Sequence, residues 1–160
     1  MAKTTWTDEN GNDWDCRVTI AEANRLRSKD DIDILNPDKL ADTVSDPLAV
    51  IYMLSCIHAG QIEERGITTS DFAEICTASE SVANAAADAL IAALSDFFKR
   101  LRKPALAKVV EQAAAATQAA EKQALAVVSD RGRRVIDQVV AKTMQGVNAA
   151  IDAAERNATA

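Results

Sequence analysis

Between Thr4 and Val18 hydrophobic and polar positions alternate. Trp6, Trp14, Cys16 and Val18 fall on one side of a two-residue period, and Thr5, Thr7, Asp13, Asp15 and Arg17 on the other. That period predicts two half-buried strands around the turn Asp8-Glu9-Asn10-Gly11. A two-residue turn at Asn10-Gly11 would set Trp6 opposite Asp15. A type I turn starting at Asp8, with Gly11 as the left-handed bulge residue, sets Trp6 opposite Trp14. A one-residue slip exchanges the two faces, so the alternation selects the bulged turn. Trp6, Gly11 and Trp14 are then the structural residues of the hairpin. An isolated hairpin is marginal in water, so its Trp face is expected to pack on the helices of the chain.

From Thr19 onward the periodicity is helical. Thr19 with Glu22 forms a capping box for a short helix to about Arg27. Ile32, Ile34 and Leu35 make a small apolar patch, after which Asn36-Pro37 starts a helix toward Val44. Asp46-Pro47 repeats the device and predicts one longer helix with Val50, Ile51, Leu54, Ile57, His58 and Ile62 on a broad face, ended by Gly66. Thr68 with Asp71 caps a short helix that buries Phe72 and Ile75. From about Ser79 the series Val82, Ala86, Leu90, Ala93 or Leu94, Phe97, Leu101 predicts an amphipathic helix reaching Pro104.

Beyond Pro104 the texture changes: 17 of the last 57 residues are Ala. Pro104 fits the first turn of a new helix, which divides the chain into a hairpin-plus-helical body (1–103) and an Ala-rich helical extension (104–160). The fold class is mainly α. One helix to about Arg156 would be on the order of 75–80 Å long; a break near Gly132, giving an antiparallel helical hairpin, is the competing expectation. Leu106, Val110, Leu125, Val128, Val135 and Val139 are the large residues of a narrow stripe at 3–4 spacing, filled in by Ala113, Thr117, Ala120, Ala124 and Gly132 and shifted in phase between Ala124 and Leu125, like a coiled-coil seam without a clean heptad. A body of about 100 residues, with a radius of gyration near 13 Å, cannot cover so long a stripe. These six residues are therefore the expected partner or homo-oligomer interface, and deleting 104–160 is expected to leave a folded monomer.

Charge and chemistry narrow the function. Residues 1–103 carry 11 Lys/Arg and 18 Asp/Glu, and residues 104–160 carry 7 and 6, within a net charge of −6. An acidic body argues against nucleic acid as partner. The basic run Lys99, Arg100, Arg102, Lys103 reads as cations at a helix C-terminus. Cys16, Cys56 and Cys76 are dispersed, without a CxxC pair or a preceding signal peptide, which predicts reduced thiols in the cytoplasm. No apolar run approaches the roughly 20 residues of a membrane span. His58 stands alone, and Cys56, two residues away, lies on another helix face, so neither a triad nor a zinc site is expected. Asp30, Asp31 and Asp33 lack the Gly and closing Glu of a calcium loop. Expected catalytic, metal and cofactor-binding residues are none.

The order of features carries a resemblance. The hairpin Trp6…Gly11…Trp14, then Val18-Thr19, the Ile32–Leu35 patch, the Asp46-Pro47 helix, Gly66-Ile67-Thr68 before Phe72, and Asp96-Phe97-Phe98 before an Ala-rich tail resemble tail assembly chaperones of tailed phages and prophages. The resemblance covers residues 4–103; beyond Pro104 the chain matches only in being helical and Ala-rich. It implies a non-enzymatic protein of the host cytoplasm, without cofactor, that keeps the tape measure protein or other tail proteins soluble during assembly. The alternative is a structural tail or head-completion protein of the virion, assembling through its long C-terminal helix.

Overall fold

The computed structural model describes the backbone of residues 3–30 and 32–158, and the side chains of residues 3–28 and 32–145. Strands β1 (Thr5–Thr7) and β2 (Asp13–Asp15) are followed by helices α1 (Ile20–Asp30), α2 (Pro37–Ser45), α3 (Pro47–Ile57) and α4 (Ala59–Glu64). Helices α5 (Thr69–Cys76), α6 (Glu80–Arg100) and α7 (Pro104–Ala158) complete the chain. The expected class is observed: mainly α, with an N-terminal hairpin and a long C-terminal helix.

The hairpin has the bulged register, Trp6 opposite Trp14. Gly11 N donates to Asp8 O at 3.0 Å, closing the type I turn, and Asp8 N donates to Asn12 O at 3.0 Å. Gly11 takes φ +79°, the conformation the bulge demands. The Asp8 carboxylate gathers further donors: Oδ1 accepts from Asn10 N and Asn12 N, both at 2.9 Å, and Oδ2 from Trp14 Nε1 at 3.1 Å. Trp6 and Trp14 are 2% and 1% exposed. Burying two such rings contributes at most about 4–6 kcal/mol each, enough to anchor a hairpin that could not stand alone.

The helix starts follow their caps. Thr19 N donates to Glu22 Oε2 at 3.0 Å, and α1 runs three residues past Arg27, to Asp30. Asn36 Oδ1 accepts from Asp38 N, and Asp46 Oδ1 from Leu48 N; α2 and α3 meet there at 102°. Thr68 and Asp71 make a reciprocal capping box for α5. Ile34 is buried while Leu35 is not. Asp33 Oδ1 accepts from Leu35 N, tying its own turn, and Asp31 lies outside the described residues.

Three expectations need correction. The helix opened by Pro47 does not run to Gly66; it breaks at His58 (φ −91°, ψ 9°), where the ring turns inward to reach Leu54 O. The helix toward Pro104 stops at Arg100. Arg102 takes φ +57°, Arg102 N donates to Lys99 O and Lys103 N to Phe98 O, a Schellman ending with arginine in the left-handed position. And α6 does have the length and apolarity of a membrane span, but 56% of that window is buried inside the body. Its 21 residues hold the centre of the core, with Leu90, Leu94 and Phe98 fully covered.

Two compact units are present, Met1–Thr117 and Gln118–Ala160. The first unit passes the 103/104 division because Leu106, Ala107 and Val110 are buried in its core. Helix α7 is continuous through Gly132, so the helical-hairpin alternative is not what forms.

Candidate functional site

Two features carry side-chain chemistry: a buried cluster under the hairpin and the apolar face of α7. The cluster begins with the hairpin alternation, which points Trp6, Trp14 and Cys16 inward. The indoles stack at 5.7 Å with 15° between planes, and both meet His58 and Phe72 edge-on, Trp14 to Phe72 at 4.8 Å. The Arg65 guanidinium lies 4.0 Å over the Trp14 ring, sealing it from water.

His58, 0% exposed, is held at both ring nitrogens. Nδ1 lies 2.8 Å from Leu54 O, so Nδ1–H donates and Nε2 is left as an acceptor, 3.6 Å from Cys16 Sγ. Cys56 was expected to lie on a different helix face from His58; the sulfur that His58 does meet, Cys16, lies 42 positions away in sequence. The signal was available, because the two-residue period had already turned Cys16 to the Trp face, but nothing local said which helix would meet it.

A thiol beside an imidazole is the constellation of a cysteine nucleophile, and here the environment works against it. Burial, Asp15 and Cys76 push the Cys16 thiol up to about 12, with a weak contribution in the other direction from the Trp6 N–H. Among the described residues Trp6 Nε1 otherwise has no hydrogen-bond partner. Burial also lowers the His58 pKa, against the Leu54 carbonyl and Asp15, which raise it. A nucleophilic pair needs a thiolate and an imidazolium at neutral pH. This pair is a neutral S–H beside a neutral ring, and Cys16 is 2% exposed. Cys76 is likewise pushed up to about 12 by burial. No group of three or more His, Cys, Asp or Glu side chains among the described residues is placed to hold a metal ion.

Two members of the basic run, Lys99 and Arg100, serve structure. Arg100 Nη2 donates to Val18 O at 3.1 Å, pinning the chain that leaves the hairpin onto α6. Lys99 pairs with Glu111 Oε1 at 3.3 Å, and Ser95 donates to the same oxygen at 2.6 Å. These bonds, Ser95 foremost, hold the Glu111 carboxyl below its ordinary range.

The six interface residues separate into two groups. Leu106 and Val110 are 7% and 0% exposed, packed in the core beside α6, so they are structural and not available to a partner. This corrects their assignment: the body covers the first turns of α7 itself. Leu125, Val128, Val135 and Val139 are more than half exposed. Ile136 and Val140, one position after Val135 and Val139, join them at 63% and 51% exposed and were missed because a strict 3–4 seam excludes them. Successive 100° steps place all six within one broad face around Gly132. Asp130 and Arg134 pair at 2.6 Å on the opposite face. Comparison with protein-family models, with curated proteins and with solved structures finds no match to this chain.

Proposed function

We propose that the protein is a non-enzymatic assembly factor, a phage tail assembly chaperone whose α7 covers an apolar helical client, the tape measure protein or another tail protein, in the host cytoplasm. The observation that supports this reading is the apolar face of α7: six large aliphatic side chains, each more than half exposed, along one side of a continuous helix. Contiguous apolar surface of this kind marks a protein interaction site, and a helix face presents its anchors at the spacing a second helix reads. No cofactor, membrane or nucleic acid enters the scheme. Homo-oligomers formed through the same face would store the chaperone until a client replaces the like chain.

The test is co-expression with a tape measure protein. The full chain is expected to keep the client soluble. The doubly charged variant Val135→Lys/Val139→Lys, which leaves the body untouched, is expected to lose that effect and to shift the protein toward monomer in analytical ultracentrifugation. Unchanged client solubility would reject the chaperone reading. If mass spectrometry finds the protein at fixed copy number in purified particles, the structural virion role takes its place.

A further inference from the structure

Between Gln118 and Gln145 helix α7 is unbroken and every side chain is exposed, so its surface pattern follows from the helical step alone. With Gly132 as the centre line, the six aliphatic residues from Leu125 to Val140 fall within about 80° to either side and span about 22 Å along the axis. A Cβ at Gly132 would meet nothing within 4 Å, so the middle of the face is a notch with backbone at its floor. Glu121, in line with the face, ends it on the N-terminal side.

The charged residues are sorted around this face. Lys122 and Arg133 lie about 80–100° to one side of the centre line, and Arg131 and Lys142 about 80–100° to the other. Asp130, Arg134 and Asp137 lie on the back, about 140–160° away. Both flanks are thus basic, and neither holds an acid. The four flanking cations are exposed and make no ion pair among the described residues.

Charges beside an apolar helical seam choose the partner, because opposite signs across it attract and like signs repel. Two copies of this chain, parallel or antiparallel, bring flank against flank and cation against cation. A like chain therefore covers the apolar residues only with its edges in repulsion. An anionic bilayer would suit the flanking cations, but residues 1–117 carry 12 Lys/Arg against 19 Asp/Glu and would be repelled by it. The face also lacks an aromatic side chain to sit at a headgroup boundary, and a flat surface would leave its notch empty. One partner satisfies the apolar residues, the notch and both basic flanks together. It is a second helix of about four turns with Asp and Glu on either side of its own apolar stripe.

We propose that α7 between Leu125 and Val140 docks such an acidic-flanked amphipathic helix, whose carboxylates pair with Lys122, Arg131, Arg133 and Lys142 and whose backbone comes closest at Gly132. This docking rests on the same α7 face as the chaperone reading and adds the charge of the client. A stored like chain then gives way because the client pairs edges that the like chain leaves opposed.

The probes are two dye-labelled, end-blocked peptides of about three heptads with the same Leu and Ala stripe, one flanked only by Glu and the other only by Lys. Fluorescence anisotropy with the full chain at about 20 mM salt is expected to show the Glu-flanked peptide binding at least about tenfold more tightly. The gap should narrow toward about 0.5 M salt, where exposed charges are screened. Lys122→Glu/Arg131→Glu/Arg133→Glu/Lys142→Glu, at four exposed positions outside the packed body, is expected to invert the preference. Val128→Ser/Ile136→Ser is expected to weaken both peptides, and circular dichroism checks that each variant keeps its helix content. Equal binding of the two peptides, binding of neither, an unchanged preference in the charge-reversed variant, or full affinity in Val128→Ser/Ile136→Ser would overturn the proposal. So would binding to phosphatidylglycerol vesicles that the Glu-flanked peptide does not displace. Preference for the Glu-flanked peptide with a tape measure protein left insoluble would reject the chaperone reading alone. Equal peptide binding with client solubility lost in Val135→Lys/Val139→Lys would reject the acidic flanks alone.

Discussion

Gly11 and His58 show how single residues set local structure here. A Cβ at Gly11 would meet nothing within 4 Å, so the cost of any substitution is backbone strain alone. Gly11→Val should lower unfolding free energy by more than about 1 kcal/mol, and Gly11→Asn by less, since Asn tolerates left-handed φ. Urea denaturation of the two variants checks the order. His58 is buried as the neutral ring, with its pKa below the ordinary 6.5. The unfolded chain then binds the proton more readily, so stability present above pH 6.5 declines as pH falls below it. Asp8 acts lower on the scale. Burial raises its pKa, but the bonds from Asn12, Trp14 and Asn10 outweigh that and hold it below the ordinary 3.8. Its contribution is complete above that value and is lost as pH falls further. Urea midpoints against pH should show two declining stages, and His58→Phe should remove the upper one. The cysteines divide by burial: iodoacetamide at neutral pH should label half-buried Cys56 and spare Cys16 and Cys76, read by peptide mass spectrometry.

Among the elements, α4 and α6 end in the same way with different residues. Gly66 N donates to Glu63 O and Ile67 N to Ile62 O, with Gly66 at φ +65°; α6 repeats the pattern around Arg102 at φ +57°. The first ending was legible because glycine announces it. The second was not, because arginine has no preference for that conformation and is held there by Leu106, Ala107 and Val110 packing back on the body. Arg102→Gly should therefore stabilise the protein by about 1 kcal/mol, measured as a rise in urea midpoint at unchanged slope. The break at His58 has a similar origin. Nothing in the apolar run from Val50 to Ile62 stops a helix, but the aromatic cluster draws the imidazole inward and the backbone follows.

For the whole molecule, the packed body ends later than the proline that starts α7. Residues 1–117 carry 12 Lys/Arg and 19 Asp/Glu, and residues 118–160 carry 6 and 5, so the acidic surface belongs to the body and the near-neutral segment bears the apolar face. Deleting 104–160 would remove Leu106, Ala107 and Val110 from the core, at about 2–4 kcal/mol for each large side chain, and is not expected to leave a stable protein. Deleting 118–160 should leave a cooperatively folding body with a urea midpoint close to that of the full chain. Equal stability of the two truncations would show that the first turns of α7 contribute little to the core.

Whatever is governed by near neighbours along the chain was legible in the order of the residues. The hairpin register came from a period of two, and the starts of α1, α2, α3 and α5 from caps whose partners lie within three residues. The mainly α class came from helical spacing between those caps. The tertiary structure alone decided where distant segments meet: that Cys16 faces His58, that Gln61 and Arg65 close the β2 edge of the hairpin, and that Leu106 and Val110 enter the core while Leu125 does not. Local preferences act over one turn of helix or one pair of residues. Burial depends on which surfaces the rest of the chain brings near, and two stripes of the same spacing on the same helix can have different environments for that reason alone.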